Sequence, residues 1–251
     1  MNARHADLCV FNAGKAMADE LSRLGWGSAC FAREFSDAGS FKKFAEEVRG
    51  MKSEIASYAA AIITSGVSEN ARKALEHADL IIVEARTEED FRQASESYDV
   101  DIILGAEKYI ERDMMDFRAS GLDHVMMKFM GERKTAYGVK FSDILNSYGA
   151  RRIQLLGRIR QNIQMAMKYK VPVVAVSGAS SEYELKTPQE LESFLLFLST
   201  EEAAKKSVAD NPLKLLSKAE DRKNPDIVTS GVKVVDWGSQ QKKQKRKFGW
   251  Y

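Results

Sequence analysis

The sequence predicts an α/β protein built on a parallel sheet. Apolar runs of strand length alternate with amphipathic helical stretches along most of the 251 residues. Alternation of this kind needs helical crossovers between parallel strands. Both an open doubly wound sheet and a closed barrel satisfy the pattern, with about seven strands. The length suits one α/β domain.

The elements follow in order. Residues 6–11 (ADLCVF) form a first strand and AMADELSRL, from Ala16, a helix. GSACFA is the second strand and SFKKFAEEVRGM the second helix. The run from Ile55 to Thr64 closes on AAIIT, a third strand. Ser68 is the expected N-cap of ENARKALEHA. DLIIVEA has the composition of a fully buried strand, and Thr87 with Asp90 resembles a capping box opening EEDFRQASES. VDIILGA is the next strand, and helices are expected over much of 110–134. TAYGVKF is a strand, 151–169 a long helix and PVVAVSG the last strand. Thr187, Pro188 and Glu190 mark a helix start. The apolar pattern fades after Leu216, so a domain over 1–220 is expected, with an extension over 221–251 whose end is partly disordered.

Composition narrows the functional classes. Hydrophobic residues are 44% of the chain, enough for a substantial core, and no apolar run approaches the roughly 20 residues that span a bilayer. The start MNARHADLCVFN has no cleavage-site pattern, so no signal peptide is expected. Cys9 and Cys30 lie in apolar strands and read as buried free thiols, which suits a cytoplasmic protein. Net charge is only +2, yet Val232 to Tyr251 holds six Lys/Arg against one acid, Asp236. Such a tail, with Phe248, Trp250 and Tyr251, suits a polyanion or equally a solvated end.

Conventional catalysis finds little support. Three histidines, His5, His77 and His124, are few for a multinuclear metal centre. His5-Ala6-Asp7 only approximates the His-x-His opening of PHP phosphoesterases. No G-x-S-x-G nucleophile elbow is present. The run Ser177, Gly178, Ala179, Ser180, Ser181 follows the last strand, where loops of β/α folds hold phosphate; it is a candidate phosphate loop or a plain turn. The methionines Met114, Met115, Met126, Met127 and Met130 recur at helical spacing, as core or partner groove. Basic residues stand out more. Arg112 and Arg118 precede Ser120-Gly121; His124, Lys128, Arg133 and Lys134 follow. Arg151, Arg152, Arg158 and Arg160 stud the long helix, which ends in Lys168 and Lys170. Leu155, Leu156, Ile159, Ile163 and Met167 give that helix its core face, which places its arginines mostly on the rim or outside.

Two segments are the most specific: SGLDHVMMKFMGERKTAYGVKFSDIL (120–145) and RRIQLLGRIRQNIQMAMKYKVPVVAVSGA (151–179). They resemble the third protein component of archaeal ribonuclease P, the TIM-barrel subunit shared with the eukaryal enzyme, over about Ala6 to Leu216. The resemblance implies a PHP-related β/α barrel, which decides between the two sheet forms. It implies a subunit that supports RNA-catalysed removal of the 5′ leader from precursor tRNA, with Mg²⁺ on the RNA and no catalytic residue or metal in this chain. Ribonuclease P RNA, precursor tRNA in the holoenzyme and a small ferredoxin-like subunit, in a heterotetramer, are the implied partners. Arg86, Arg92, Arg112, Arg118, His124, Arg133, Lys168 and Lys186 are the expected RNA-facing residues. The tail lies outside the family pattern. The competing readings are a PHP-like metal-dependent phosphoesterase and a barrel enzyme for a phosphorylated metabolite.

Overall fold

The computed structural model describes residues 5–113, 118–229 and 231–238. Seven strands lie side by side in chain order, every neighbouring pair parallel: β1 (Ala6–Val10), β2 (Ser28–Glu34), β3 (Ala56–Ile63), β4 (Leu80–Val83), β5 (Ile102–Ile103), β6 (Ala136–Lys140) and β7 (Val173–Val176). The sheet curls until its edges meet. Val10 bridges Ala179, the Phe11 N–H donates to the Ala179 carbonyl at 2.8 Å, and the Gly178 N–H donates to Cys9 at 2.9 Å. The result is a nearly closed, TIM-barrel-like α/β fold.

Helices α1 (Lys15–Arg23), α2 (Ala38–Gly50), α3 (Val67–Ala74), α4 (Glu88–Glu96) and α5 (His124–Arg133) connect the first six strands. A short α6 (Phe141–Leu145) and the long α7 (Gly149–Lys168) lead to β7. After it come α8 (Pro188–Leu198), α9 (Glu201–Val208) and α10 (Asp210–Lys223), then an antiparallel pair, β8 (Ile227–Thr229) and β9 (Val232–Lys233). Among the described residues no helix is long and apolar enough to cross a membrane.

Strand alternation sends side chains to two cores. Leu8, Ile62, Leu80, Ile82 and Leu104 fill the barrel interior; Phe31, Ile63, Ile81 and Val83 face the helices, where Phe41, Phe44 and Phe91 meet them. Cys9 and Cys30 are buried free thiols. Leu215, Leu216 and Ala219 of α10 join the interior core, so this helix stoppers the barrel. It does so at the strands' N-terminal ends, where Asp79 and Asp101 precede β4 and β5. Arg222 clamps buried Asp101 at 2.8 and 3.1 Å, and Lys218 adds an ion pair at 3.1 Å. Burial would raise the Asp101 carboxyl, but these cations hold it below its usual range.

Several expectations change. α3 begins at Val67, not after a Ser68 cap: Gly66 takes the cap position at φ 59°, and the Asn70 amide donates to Ser65. The described residues between β5 and α5 form a loop rather than helices, and only His124–Arg133 is helical there. The Thr187–Glu190 capping box is present in full, and the Thr87 hydroxyl accepts the Asp90 N–H. α10 continues past Leu216 to Lys223. Arg158 is not on the rim or outside but fully buried. Met114 and Met115 lie outside the described residues; Met126, Met127 and Met130 are core.

Candidate functional site

The C-terminal ends of the strands form the mouth of the barrel, where β/α barrels place their chemistry. Glu84 follows β4, Lys140 ends β6, Lys108 comes from the loop after β5 and Asp143 from α6. Glu84 Oε1 accepts from Lys108 Nζ and Lys140 Nζ, each at 2.5 Å. Asp143 meets the same ammonium groups at 3.0 and 3.6 Å. Lys140 is buried, and these two carboxylates neutralise it. Burial works to raise Glu84, but Lys140 and Lys108 outweigh it and keep the carboxyl low. Burial likewise works to lower Lys108, but Asp143 and Glu84 drive it above the usual range. Two acids and two lysines thus satisfy one another.

A cleft of about 530 Å³ opens beside this cluster, lined among others by Phe11, Glu34, Thr64, Arg86 and Tyr109. Among the described residues no group of three or more His, Cys, Asp or Glu is arranged to hold a metal ion. Asp7, the acid of His5-Ala6-Asp7, is fully buried. Its buried carboxylate accepts the Cys9 and Ser177 N–H groups at 3.2 Å and fastens the β1–β7 seam. Burial pushes it up to about 6, with hydrogen bonds from Ser177 and Cys9 pulling the other way.

The suspected phosphate loop is occupied by the same seam. The Ser177 N–H goes to Asp7, Gly178 to the Cys9 carbonyl, Ala179 to the Ser177 hydroxyl and Ser180 to the Glu184 carboxylate at 2.7 Å. Those four donors are therefore spent within the protein, one on Asp7 and one on Glu184. Gly178 has φ 62°, and a Cβ there would come within 2.4 Å of Lys140 Cγ. Ser180 is exposed and Ser181 half-buried.

Beneath the mouth, a buried polar group secures the loop between β5 and α5. The Arg158 guanidinium donates to the Glu107 carbonyl at 2.8 Å and to the Ile110 carbonyl, and its Nε donates to Asp113 at 2.9 Å. Asp113 also accepts the Ala119 N–H at 2.9 Å. Tyr137 donates its hydroxyl to Glu107 Oε2 at 3.0 Å. Burial pushes the Glu107 carboxyl up to about 7. Gly121, at φ 89°, lies so close to the Ala106 carbonyl that a Cβ would come within 1.8 Å of its oxygen. This loop presents exposed Arg112 and Arg118, the latter donating to the Gly157 carbonyl at 3.1 Å.

The eight basic residues expected to face RNA do not converge on one spot. Arg86 and Lys186 follow β4 and β7 at the mouth, and Arg112 lies on the loop after β5. Exposed His124 opens α5. Arg92 is tied to Glu88 and Asp123, both at 3.1 Å. Lys186 donates to the carbonyl of Leu185. Arg133 and Lys168 lie at the far ends of α5 and α7, toward the stoppered end. Arg133 stacks 4.0 Å from the centroid of the exposed Tyr98 ring, an arrangement absent from any local motif. The basic residues of the tail from Lys242 to Lys247 lie outside the described residues. Glu84, Lys108, Lys140 and Asp143 were missed in the sequence because they are far apart and of unremarkable type; only Lys140, closing an apolar strand, stood out of pattern.

Comparison with known proteins fits this geometry. The family model described as RNase P subunit p30 matches residues 6–224, the whole barrel through α10. Ribonuclease P protein component 3 of Methanosarcina mazei is 33% identical over 159 residues, 63% of this chain and 62% of that protein. The chain thus spans about three-fifths of that relative's length. The same component of Methanococcus maripaludis is 26% identical over 226 residues, covering 86% of this chain and 91% of the relative. Among solved structures, a chain of archaeal ribonuclease P with mature tRNA superposes with a TM-score of 0.76 at 22% identity, over 94% of this chain and 100% of that one. Aspergillus niger ochratoxinase shares the barrel more loosely, at TM-score 0.56 and 13% identity, over 85% and 71% of the two chains. With the match running from the first strand to the stopper helix, the chain belongs to the RNase P subunit p30 family.

Proposed function

We propose that this chain is a non-catalytic protein subunit of ribonuclease P, supporting removal of the 5′ leader from precursor tRNA by an RNA enzyme. The family match across the whole barrel carries the reading. At the mouth, Lys108 and Lys140 neutralise Glu84 and Asp143, and among the described residues no group of three or more His, Cys, Asp or Glu is arranged to hold a metal ion. Mg²⁺ would act on the RNA, and the protein would neutralise phosphates that otherwise demand counterions. Ribonuclease P RNA, precursor tRNA in the holoenzyme and a small ferredoxin-like protein subunit, in a heterotetramer, are the proposed partners, and the cytoplasm the proposed compartment. Within this reading Arg86, Arg112, Arg118 and His124, exposed around the mouth and the loop after β5, are candidates for RNA contact. The test is reconstitution of precursor-tRNA cleavage with each component omitted in turn. Cleavage should require the RNA and rise when this chain is added. Specific 5′ cleavage by the nuclease-treated chain alone would overturn the reading.

A further inference from the structure

At the stoppered end, a groove of about 730 Å³ runs between the C-terminal ends of α5 and α7 and the helices α9 and α10. Lys134, Lys170, Lys206, Lys214 and Lys218 line it, over an apolar floor that includes Val171 and Pro172. Lys206 is paired with Glu202 at 2.5 Å. Lys218 shares Asp101 with Arg222, which already clamps that carboxylate. Among the described residues Lys134, Lys170 and Lys214 have no ion pair, against one unpaired acid of the groove, Asp221. The groove therefore has a positive surplus that the Glu84–Lys108–Lys140–Asp143 cluster lacks.

The backbone adds an independent observation. Among the described residues only two non-glycine residues have positive φ, Lys134 and Lys170, both at 58°. Both sit where a helix ends, the Lys134 N–H bonding to Met130 and the Lys170 N–H to Met167. Glycine is the usual residue there, because a Cβ makes the left-handed conformation costly. Twice this chain accepts that strain, and both times the residue is a lysine lining the same groove. Strain retained at two positions around one cavity points to a use for the side chains.

We infer that this groove binds the sugar–phosphate backbone of RNA, an inference that rests on the subunit reading above. The lining suits phosphates and not bases: lysine acts as a point charge, and among the described residues no aromatic or arginine side chain lines the groove to stack on a base or fork onto a carboxylate. Contact there is independent of nucleotide sequence.

The test uses the full-length chain and the ribonuclease P RNA of its own organism, with affinity measured against salt. Lys134→Gly/Lys170→Gly removes two charges and the backbone strain together. Its melting temperature should stay level or rise, while the slope of log affinity on log salt becomes shallower by about 1.5, at roughly 0.7 to 0.9 for each phosphate contact. Lys15→Ala/Lys43→Ala, an equal charge loss at exposed sites outside the groove, should keep the wild-type slope. If the double glycine variant melts early, Lys214→Ala is read instead, with a slope shallower by about 0.8. A wild-type slope in the groove variants, or an equal change in the control, overturns the proposal. So does unchanged RNA binding with loss of an acidic protein partner. Wild-type protein that stimulates cleavage while groove variants bind normally defeats the groove alone; wild-type protein that neither binds the RNA nor stimulates cleavage defeats the subunit reading.

Discussion

The two ends of the barrel use the same residue types to opposite effect. At the mouth, Glu84 and Asp143 meet Lys108 and Lys140, so acids and lysines cancel. At the stoppered end, Asp79 and Asp101 meet Arg49, Lys218, Arg222 and Lys223, and further lysines line the adjoining groove unpaired. The first is a closed set of charges that stabilises the protein; the second leaves charge over for a partner. Counting basic residues along the chain cannot separate the two. What matters is which cations have already found an acid.

The largest expected effect breaks the stopper. Arg222→Ala leaves buried Asp101 with the Lys218 ammonium and the Ile81 N–H, and loss of one partner of a buried pair costs about 3–5 kcal/mol. Chemical denaturation should show that loss. A loss below about 1 kcal/mol would mean that α10 is held by its apolar face alone and that the charges at this end are dispensable.

A pH dependence of similar size comes from the other end. Glu107 is pushed up to about 7 in the folded protein from 4.5. Because the folded state holds the proton more tightly, this group's contribution is complete below about pH 4.5 and is lost as pH rises through 7. At about 1.36 kcal/mol per pH unit the loss is on the order of 3 kcal/mol. Glu107→Gln keeps an acceptor for Tyr137 and should flatten the decline, leaving the variant the more stable protein at pH 8. Parallel curves for the two proteins would show that Glu107 does not titrate in that window.

Arg158→Met should destabilise by about 2–3 kcal/mol, through the carbonyls of Glu107 and Ile110 and the Asp113 carboxylate left behind. Amide exchange should quicken in the loop between β5 and α5 before it does in the strands. Uniform quickening would show that Arg158 supports the whole core rather than the loop. The smallest effect on folding is expected from deleting residues 240–251. The melting temperature should hold, while affinity for RNA falls most at low salt, where screening is weakest. A marked drop in melting temperature would make this segment part of the folded structure.

The alternation of apolar strands and amphipathic helices carried most of the fold, because burial on both sheet faces writes directly into composition. Capping signals located α4 and α8, through Thr87 and Thr187. Local pattern failed where long-range contacts decide. The segment before α5 looks helical, yet Arg158 and Gly121 hold its described residues as a loop. Helical spacing put Arg158 outside; the Glu107 and Ile110 carbonyls it satisfies are remote in sequence, so its burial could not be read there. The same holds for the candidate site. Arg and Lys were visible, but Arg92 is already tied to Glu88 and Asp123, while Lys134 and Lys170 owe their interest to backbone angles and to a groove that only the fold assembles.

The most direct measurement of the central claim, that this barrel serves an RNA enzyme and does not replace it, is a Mg²⁺ titration of precursor-tRNA cleavage by ribonuclease P RNA with its other protein subunits, with and without this chain. If the protein neutralises phosphates for the RNA, adding it should move the half-maximal Mg²⁺ concentration downward, and nuclease treatment should abolish cleavage. An unmoved Mg²⁺ midpoint, or cleavage that survives nuclease treatment, would contradict the account.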